Sequence, residues 1–582
     1  MSAYRQPAYA LLDRAAAQVP ARVACRYYDQ SWTYEGLQHD VYRATGLLAE
    51  LGIGPGDRVG LLLPNVPEYI IGLNALWRRG AIGVAISPLM VPEEVEGLLR
   101  SLDCRHVIAL DLLAHLLPSG NGTLAKTLLV SLRERLPGYQ QVGYFLARYK
   151  RTGLWYVPTG DRAVWFWDAL DECAPQRDTA DLDPDATPAY ILPTGGTTGQ
   201  PKSVTLSHRN LTANALQQAT LAGGTMGQEK LMAVLPFFHS YGLSAVILGG
   251  AALGAELILH HRFSTHQVLQ LIAEHRPTVL HAVPAMLAAM NAQLRSKPSS
   301  IDSLKWVISG GAPLPEETAA EFAEHCGGIV VEGYGLSEAS PVTHSGPLDG
   351  TARYGTIGLP LPDTQCRIVD AETGTVDVLP GEVGELIVRG PQVMLGYWNN
   401  ASATAETIRD GWLYTGDLAK QDALGFYQIV DRKKDLVITS GYNVYPRDVE
   451  TVLRRCPLIE DVAVVGVPDE QRGELVKAFV RMRSGQTFDT KALDAFCREH
   501  LAAHRRPRQY EQVVGELPKN FLGKVLRRKL RERAIGFAEP TVMDSDEHGW
   551  NDGLAAGRHT GEDDPAESLA ARTEPNREEA AQ

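Results

Sequence analysis

The sequence predicts an α/β protein: a large N-terminal domain with two βαβ-type sheet subdomains and a β-barrel-like subdomain, then a small α+β C-terminal domain. Three observations predict this. Short apolar runs alternate with helical spacing, the alternation occurs twice, and it then gives way to short strands with Gly and Pro turns. In the first stretch "DRVGLLL" precedes helical spacing at Tyr69, Leu73, Leu76 and Trp77, then come "IGVAIS", a helix over Glu93–Leu102 and "HVIAL". Strands separated by amphipathic helices imply βαβ units and a parallel sheet. In the second stretch "PTVLHAVP" leads to "LKWVISGGAPLP", a helix from Pro315 to about Cys326, and "GIVVEGYGLSE". Ligands of such sheets bind at the carboxyl ends of strands, where "SGGAPLP" and "GYGLSE" both fall.

From Tyr354 to about Arg389 the alternating pattern reads as antiparallel or barrel-like. After "YQIVDRKKDLV" a smaller unit is expected, with a hairpin around Gly441, a helix over Pro446–Arg455, the strands "DVAVVGV" and "VKAFVRM", and a helix near Thr490–Ala502. Tyr241–His260 is broken by glycines and Glu256, so it reads as a buried helix followed by a strand rather than a membrane span. Beyond Ile535 the chain is polar and acidic and lacks the apolar content to fold.

The 582 residues, 44% hydrophobic and 21% charged, suit a soluble globular protein of several domains. A net charge of -13 argues against a general nucleic-acid binder. Seven scattered cysteines without a CxxC pair read as reduced and cytoplasmic. The His260–His261 pair lacks cysteine partners and is expected at the surface. Asp13 and Arg14 interrupt any signal-peptide core.

The stretch "LPTGGTTGQPKSV" (192–204) clusters glycines, threonines and a lysine. Backbone N–H groups in such a loop can approach an anion closely, with hydroxyls and an ammonium helping, so it reads as a phosphate cradle. It is not a Walker A loop, because Gln200 and Pro201 separate Gly199 from Lys202.

Together with "LPFFHSYGL", "ISGGAPLP", "VEGYGLSEASPV", "GELIVRGPQVMLGYWNN", "GWLYTGDLA", "DRKKDLVITSGYNVYPRDVE" and "LPKNFLGKVLRRKL", this stretch resembles the adenylate-forming superfamily over roughly Thr33–Arg533. The resemblance is close to bacterial long-chain fatty acyl-CoA ligases. It implies domains at 1–431 and 436–536 joined by a hinge at 432–435, with 537–582 as a disordered tail. It implies ATP-dependent conversion of a carboxylic acid, most readily a medium- to long-chain fatty acid, to an acyl-adenylate, then to acyl-CoA.

The resemblance also implies site residues. Thr194, Gly195, Gly196, Thr197, Thr198 and Gly199 would surround the β/γ-phosphates, supported by Lys202. Ser203 stands where the family commonly has glycine. Tyr334 would stack on adenine opposite Gly310, Gly311 and Ala312, with Gly335 beside it. Ser337 would touch the α-phosphate or the carboxylate, and Glu338, with Thr197, would hold Mg²⁺. Asp417 would accept from both ribose hydroxyls, with Arg432 nearby. Lys524 would be the catalytic lysine, Lys434 the hinge, and Gly441 the close approach to the pantetheine of coenzyme A. His239 would sit near the acyl entrance, where a histidine can change charge near neutral pH.

Three alternatives stay open: an acyl-AMP ligase loading an acyl carrier protein, an aryl- or short-chain-acid CoA ligase, and a non-catalytic nucleotide-binding relative. The carrier-protein relatives usually carry an insertion after the hinge, which this chain lacks. The expected partners are small molecules, with a homodimer left open. Leu132–Pro158 mixes aromatics with Arg148, Lys150 and Arg151. It reads first as a packed surface excursion and second as a peripheral membrane contact.

Overall fold

The computed structural model describes residues 2–118, 124–136, 138–153, 155, 162–194, 202–519 and 523–536. The tail 537–582 lies outside them. Among the described residues the strands form four sheets. The six middle strands of the nine-stranded sheet run parallel, from Ile329–Gly335 through Trp306–Ser309, Val279–Ala282, Lys230–Ala233 and Glu256–Leu259 to Val23–Tyr27. An eight-stranded sheet has a parallel core of Pro188–Thr194, Ile82–Ala85, Arg58–Leu62, His106–Leu110, Lys126–Val130 and Ala163–Trp165, edged by Lys202–Ser207 and Gly396–Tyr397. These are the two βαβ subdomains, and their near-continuous apolar strands follow from burial on both faces.

The helix Pro67–Arg78 is buried along its whole length. A helix apolar all round belongs inside a large core, and this one has lost every solvent face. Each of its polar side chains finds at least one partner. Asn74 donates to the Ile70 carbonyl, and the guanidinium of Arg78 donates to Asp13 and to the Arg177 carbonyl. Just before the helix, Asn65 donates to the carbonyls of Ala233 and Leu235 and accepts from the Phe237 N–H, tying one sheet to the other.

The expected barrel-like subdomain is a five-stranded antiparallel sheet of Gln365–Val369, Gly384–Arg389, Trp412–Gln421, Ile408–Arg409 and Tyr427–Arg432, with an apolar cluster of its own. From Val437 onward the chain packs another five-stranded sheet against the helices Pro446–Leu453, Thr490–His500 and Arg527–Ala534. Tyr241–His260 forms a π-helical turn run Gly242–Leu248, a helix Gly249–Leu253 and the strand Glu256–Leu259. No helix of the described residues is long and apolar enough to cross a membrane.

One expectation needs correction. His260 and His261 are not a surface pair. They end the strand Glu256–Leu259, their rings stack 4.9 Å apart, and the Tyr27 hydroxyl from the adjacent strand lies 3.4 Å from Nδ1 of His261. Burial lowers the pKa of both. In the segment read first as a packed surface excursion, Arg148 turns inward. It is buried, with Nη1 3.0 Å from Oδ2 of buried Asp111, which also accepts from Tyr144 and Ser131. Burial outweighs these partners and raises the Asp111 pKa.

Removing one partner of a buried pair strands the other charge, which costs about 3–5 kcal/mol. Arg148→Ala is therefore expected to lower the thermal unfolding midpoint, and adding Asp111→Asn to restore part of the loss. Calorimetry checks this; an unchanged midpoint in Arg148→Ala would contradict it.

Candidate active site

The second glycine of "GYG" shows how the chain shapes the site. A Cβ on Gly335 would lie 2.1 Å from the Pro341 carbonyl oxygen, so no side chain fits there. That close approach turns the chain at the end of Ile329–Gly335 and carries Ser337 and Glu338 to the cavity wall. The cavity is about 840 Å³. Thr194, Lys202, His239, Gly310, Gly311, Tyr334, Gly335, Ser337, Glu338, Asp417, Arg432, Lys434 and Lys524 all line it.

Of the remaining expected residues, Ala312 and Gly441 are outside its lining, and Gly195, Gly196, Thr197, Thr198 and Gly199 lie outside the described residues. The two ends of their loop are described. Thr194 and Lys202 pair across antiparallel strands, and the Thr194 hydroxyl donates to the Lys202 carbonyl at 3.0 Å. Gly441 caps an exposed hairpin of Val437–Thr439 and Tyr442–Val444, with φ at +79° and no atom within 4 Å of where a Cβ would be.

Asp417 organises one end of the cleft. It stands opposite Arg432 on the neighbouring strand, with Nε of Arg432 3.3 Å from Oδ1. The Tyr334 hydroxyl donates to Oδ2 at 2.6 Å. Burial and the Asp417 charge raise the Tyr334 pKa well above its ordinary value, so it remains a donor. A carboxylate has about four lone-pair sites, so Asp417 keeps capacity for further donors. Lys524 is half-buried in the same cleft. Desolvation, with Arg432 and Lys434 adding repulsion against the pull of Asp417 and Asp435, lowers its pKa to about 8. Desolvation likewise lowers that of Lys434.

At the other end, the Tyr397 hydroxyl donates to Oε1 of Glu338 at 2.8 Å, and Nζ of Lys202 sits 4.9 Å from the centre of the Tyr397 ring. Tyr397 thus joins the two groups, a link that spacing alone could not reveal. Among the described residues no cluster of three or more His, Cys, Asp or Glu is arranged to hold a metal. The single Glu338 carboxylate suits Mg²⁺, which commonly takes one or two protein carboxylates and completes its shell with phosphate and water.

His239 differs from expectation in its charge. Its Nδ1 accepts from the Tyr241 N–H at 3.2 Å, and burial lowers its pKa to about 4. It is neutral at physiological pH, with its proton on Nε2, and so is no switch there. Much of the remaining lining is apolar. Ala219 and Ala222 of the helix His208–Ala222 belong to it, with Ala245, Gly249 and Leu253 of the next helical segment and Trp306. The run from Ala245 to Leu253 extends on the order of 10 Å along one helical face.

The position of Lys524 is set by a buried ion network three residues further on. Arg527 reaches Glu450 at 2.9 Å and Asp435 at 3.4 Å, and approaches Asp431 at 3.9 Å. Asp431 also accepts from the Arg447 N–H at 2.8 Å, and the Arg447 guanidinium donates to the Ile429 carbonyl. Burial raises the Glu332 pKa to about 7, opposed by the Leu314 N–H and by Arg447.

Residues 12–398 match the family model described as AMP-binding enzyme, and 448–524 match that of the AMP-binding enzyme C-terminal domain. The chain is 38% identical over 525 residues to a long-chain-fatty-acid–CoA ligase of Bacillus subtilis (strain 168), covering 90% of this chain and 93% of that one. It is 35% identical over 525 residues to a feruloyl-CoA synthase of an Amycolatopsis species, covering 89% and 97%. The crystal structure of ATP-bound MatB from Rhodopseudomonas palustris superposes with a TM-score of 0.78 at 28% identity, covering 92% of this chain and all of that one.

Asp417 holds the Lys524 pKa up, so Asp417→Asn is expected to move it below about 8. Competitive acylation of Lys524, followed by mass spectrometry across pH, reads this directly. A midpoint at the ordinary lysine value in the unsubstituted protein would contradict the described environment.

Proposed function

The chain belongs to the AMP-binding enzyme family and is an AMP-forming acid–CoA ligase, and from that premise we propose that its acid is a medium- to long-chain fatty acid. The observation that carries this reading is the apolar part of the cavity lining, where Ala219, Ala222, Ala245 and Gly249 stand with Leu253 and Trp306 in the same cavity as the polar cleft. Small side chains leave room for a chain of methylene groups, and burying each contributes about 0.8 kcal/mol. A second reading, an aryl acid such as the one named for the feruloyl-CoA synthase relative, is supported by that relative's 35% identity.

In the proposed mechanism a carboxylate oxygen attacks the α-phosphorus of ATP, pyrophosphate leaves, and the acyl-adenylate forms. Both reactants are anionic, so positioned cations lower the barrier. The Lys524 ammonium lies between them and offsets the charge as the bond forms. Lys202, with the threonines and glycines of 194–199, holds the β/γ-phosphates. Glu338, with Thr197, would hold Mg²⁺, whose charge neutralises the triphosphate. Asp417 accepts from the ribose hydroxyls through the lone pairs that Tyr334 and Arg432 leave open. Tyr334 stacks on adenine, and Gly310 and Gly311 lie on its other side. Ser337 hydrogen-bonds the α-phosphate or the carboxylate, and neutral His239 borders the acyl chain.

The thiol of CoA then attacks the carbonyl carbon and AMP leaves. For this step the unit beyond the hinge at 432–435 turns, withdrawing Lys524 and bringing the Gly441 hairpin to the cleft. The open space around Gly441 lets a pantetheine arm pass close to backbone.

The test follows acyl-CoA mass and AMP release with ATP, Mg²⁺ and CoA across short-chain, long-chain and aryl acids. Long-chain acids are expected to give the highest kcat/KM; preference for aryl acids would overturn the reading. Gly249→Phe is expected to cut kcat/KM for long acids by roughly tenfold or more while sparing short ones, because a side chain there fills the apolar part of the cavity. An equal loss on all acids would show that Gly249 does not border the acyl chain.

A further inference from the structure

The helix Gly138–Thr152 presents opposite faces to different surroundings. Inward, Tyr144 and Arg148 are buried on Asp111. Next to the helix, Arg135 pairs with fully buried Glu68, and its guanidinium lies over the rings of Trp32 and Trp167. Outward, Val142, Leu146 and Tyr149 are 62%, 55% and 45% exposed. Their spacing of four and three residues places them in one stripe. Trp155, 53% exposed, stacks on Tyr149 with ring centres 4.2 Å apart, lengthening the stripe. Exposed Lys150 borders it, and Arg133 lies over the ring of Phe145.

The stripe is anchored from beneath by buried ion pairs, so its exposure is not that of a loose segment. A contiguous exposed apolar patch of this kind marks an interaction surface. Charge selects the partner. Between Leu132 and Trp155 the sequence holds five Arg or Lys against one acid, Glu134, in a chain of net charge -13. Two of the five, Arg135 and Arg148, pair inward. A second copy meeting this stripe across a two-fold axis would bring its own cations against the same cations. An anionic lipid surface would meet apolar side chains with acyl tails, aromatic rings with the headgroup level, and cations with phosphate.

We infer that the outward stripe Val142–Leu146–Tyr149–Trp155, fringed by Lys150, docks this enzyme on anionic membrane surfaces. The contact is peripheral and salt-sensitive. It does not depend on which acid the enzyme activates, because binding is read without substrate.

The test is flotation of the full chain with vesicles of phosphatidylcholine alone and with a third of phosphatidylglycerol. The protein is expected to float with the anionic vesicles, and less so as salt rises. Val142→Glu/Leu146→Glu is expected to reduce association by roughly tenfold or more, with AMP release on a water-soluble short acid unchanged. Lys150→Glu, a change at an exposed position, is expected to weaken flotation in the same direction and keeps the test informative if the double variant folds poorly. The inference is overturned if the protein stays with the pellet, if it floats alike on both vesicle types, or if the variants float like the original. It is also overturned if they turn a dimer into a monomer by light scattering without changing flotation.

Discussion

The geometry of the cleft depends on the ion network that seats the helix Arg527–Ala534. Asp431 and Glu450 are buried carboxylates, and each would be costly alone. The backbone N–H groups of Arg432 and Arg447 donate to Asp431, and Arg527, 3.9 Å from it, forks onto Glu450. Because Arg527 is three residues beyond Lys524, the same contacts that neutralise these acids set where Lys524 stands. A network joins Tyr427–Arg432 to Pro446–Leu453 and Arg527–Ala534, and in this arrangement Lys524 lines the cavity and the Gly441 hairpin does not.

That arrangement concentrates positive charge. Lys524, Lys434 and Arg432 share a cleft with Asp417, and the lowered Lys524 pKa records the repulsion and desolvation that result. A polyphosphate is the natural complement of such a cleft, because low-dielectric walls focus its field. The lining of the same cavity also includes an apolar group in which the small residues Ala219, Ala222, Ala245 and Gly249 stand beside Leu253 and Trp306. One cavity therefore offers both polar, cationic groups and an apolar lining, as a carboxylate at the end of an apolar chain meeting a phosphate would require.

The fold was legible because its period was. Apolar runs of four to seven residues between amphipathic helices place the parallel cores of both large sheets, and the glycine-rich turns place the antiparallel five-stranded sheet after them. Much of the site was legible as well, since Glu338, Asp417 and Lys524 sit in motifs whose residue types match one chemistry. Tyr397 was not, because its bond to Glu338 and its contact with Lys202 join segments 59 and 195 residues away. The neutral state of His239 and the inward turn of Arg148 were also hidden, since sequence shows that a side chain can be charged but not what covers it. The buried His260–His261 pair misled for the same reason. Adjacent polar residues at a strand end look exposed until Tyr27 of the neighbouring strand is placed beside them.

The most direct measurement separates the two half-reactions in Lys524→Ala. Acid-dependent exchange of pyrophosphate with ATP reports adenylate formation, and thiolysis of a supplied acyl-adenylate reports transfer to CoA. The account predicts that exchange falls by roughly 100-fold or more while thiolysis stays within a few-fold of the unsubstituted enzyme. Exchange that survives the substitution, or an equal fall in both steps, would contradict the place given to Lys524.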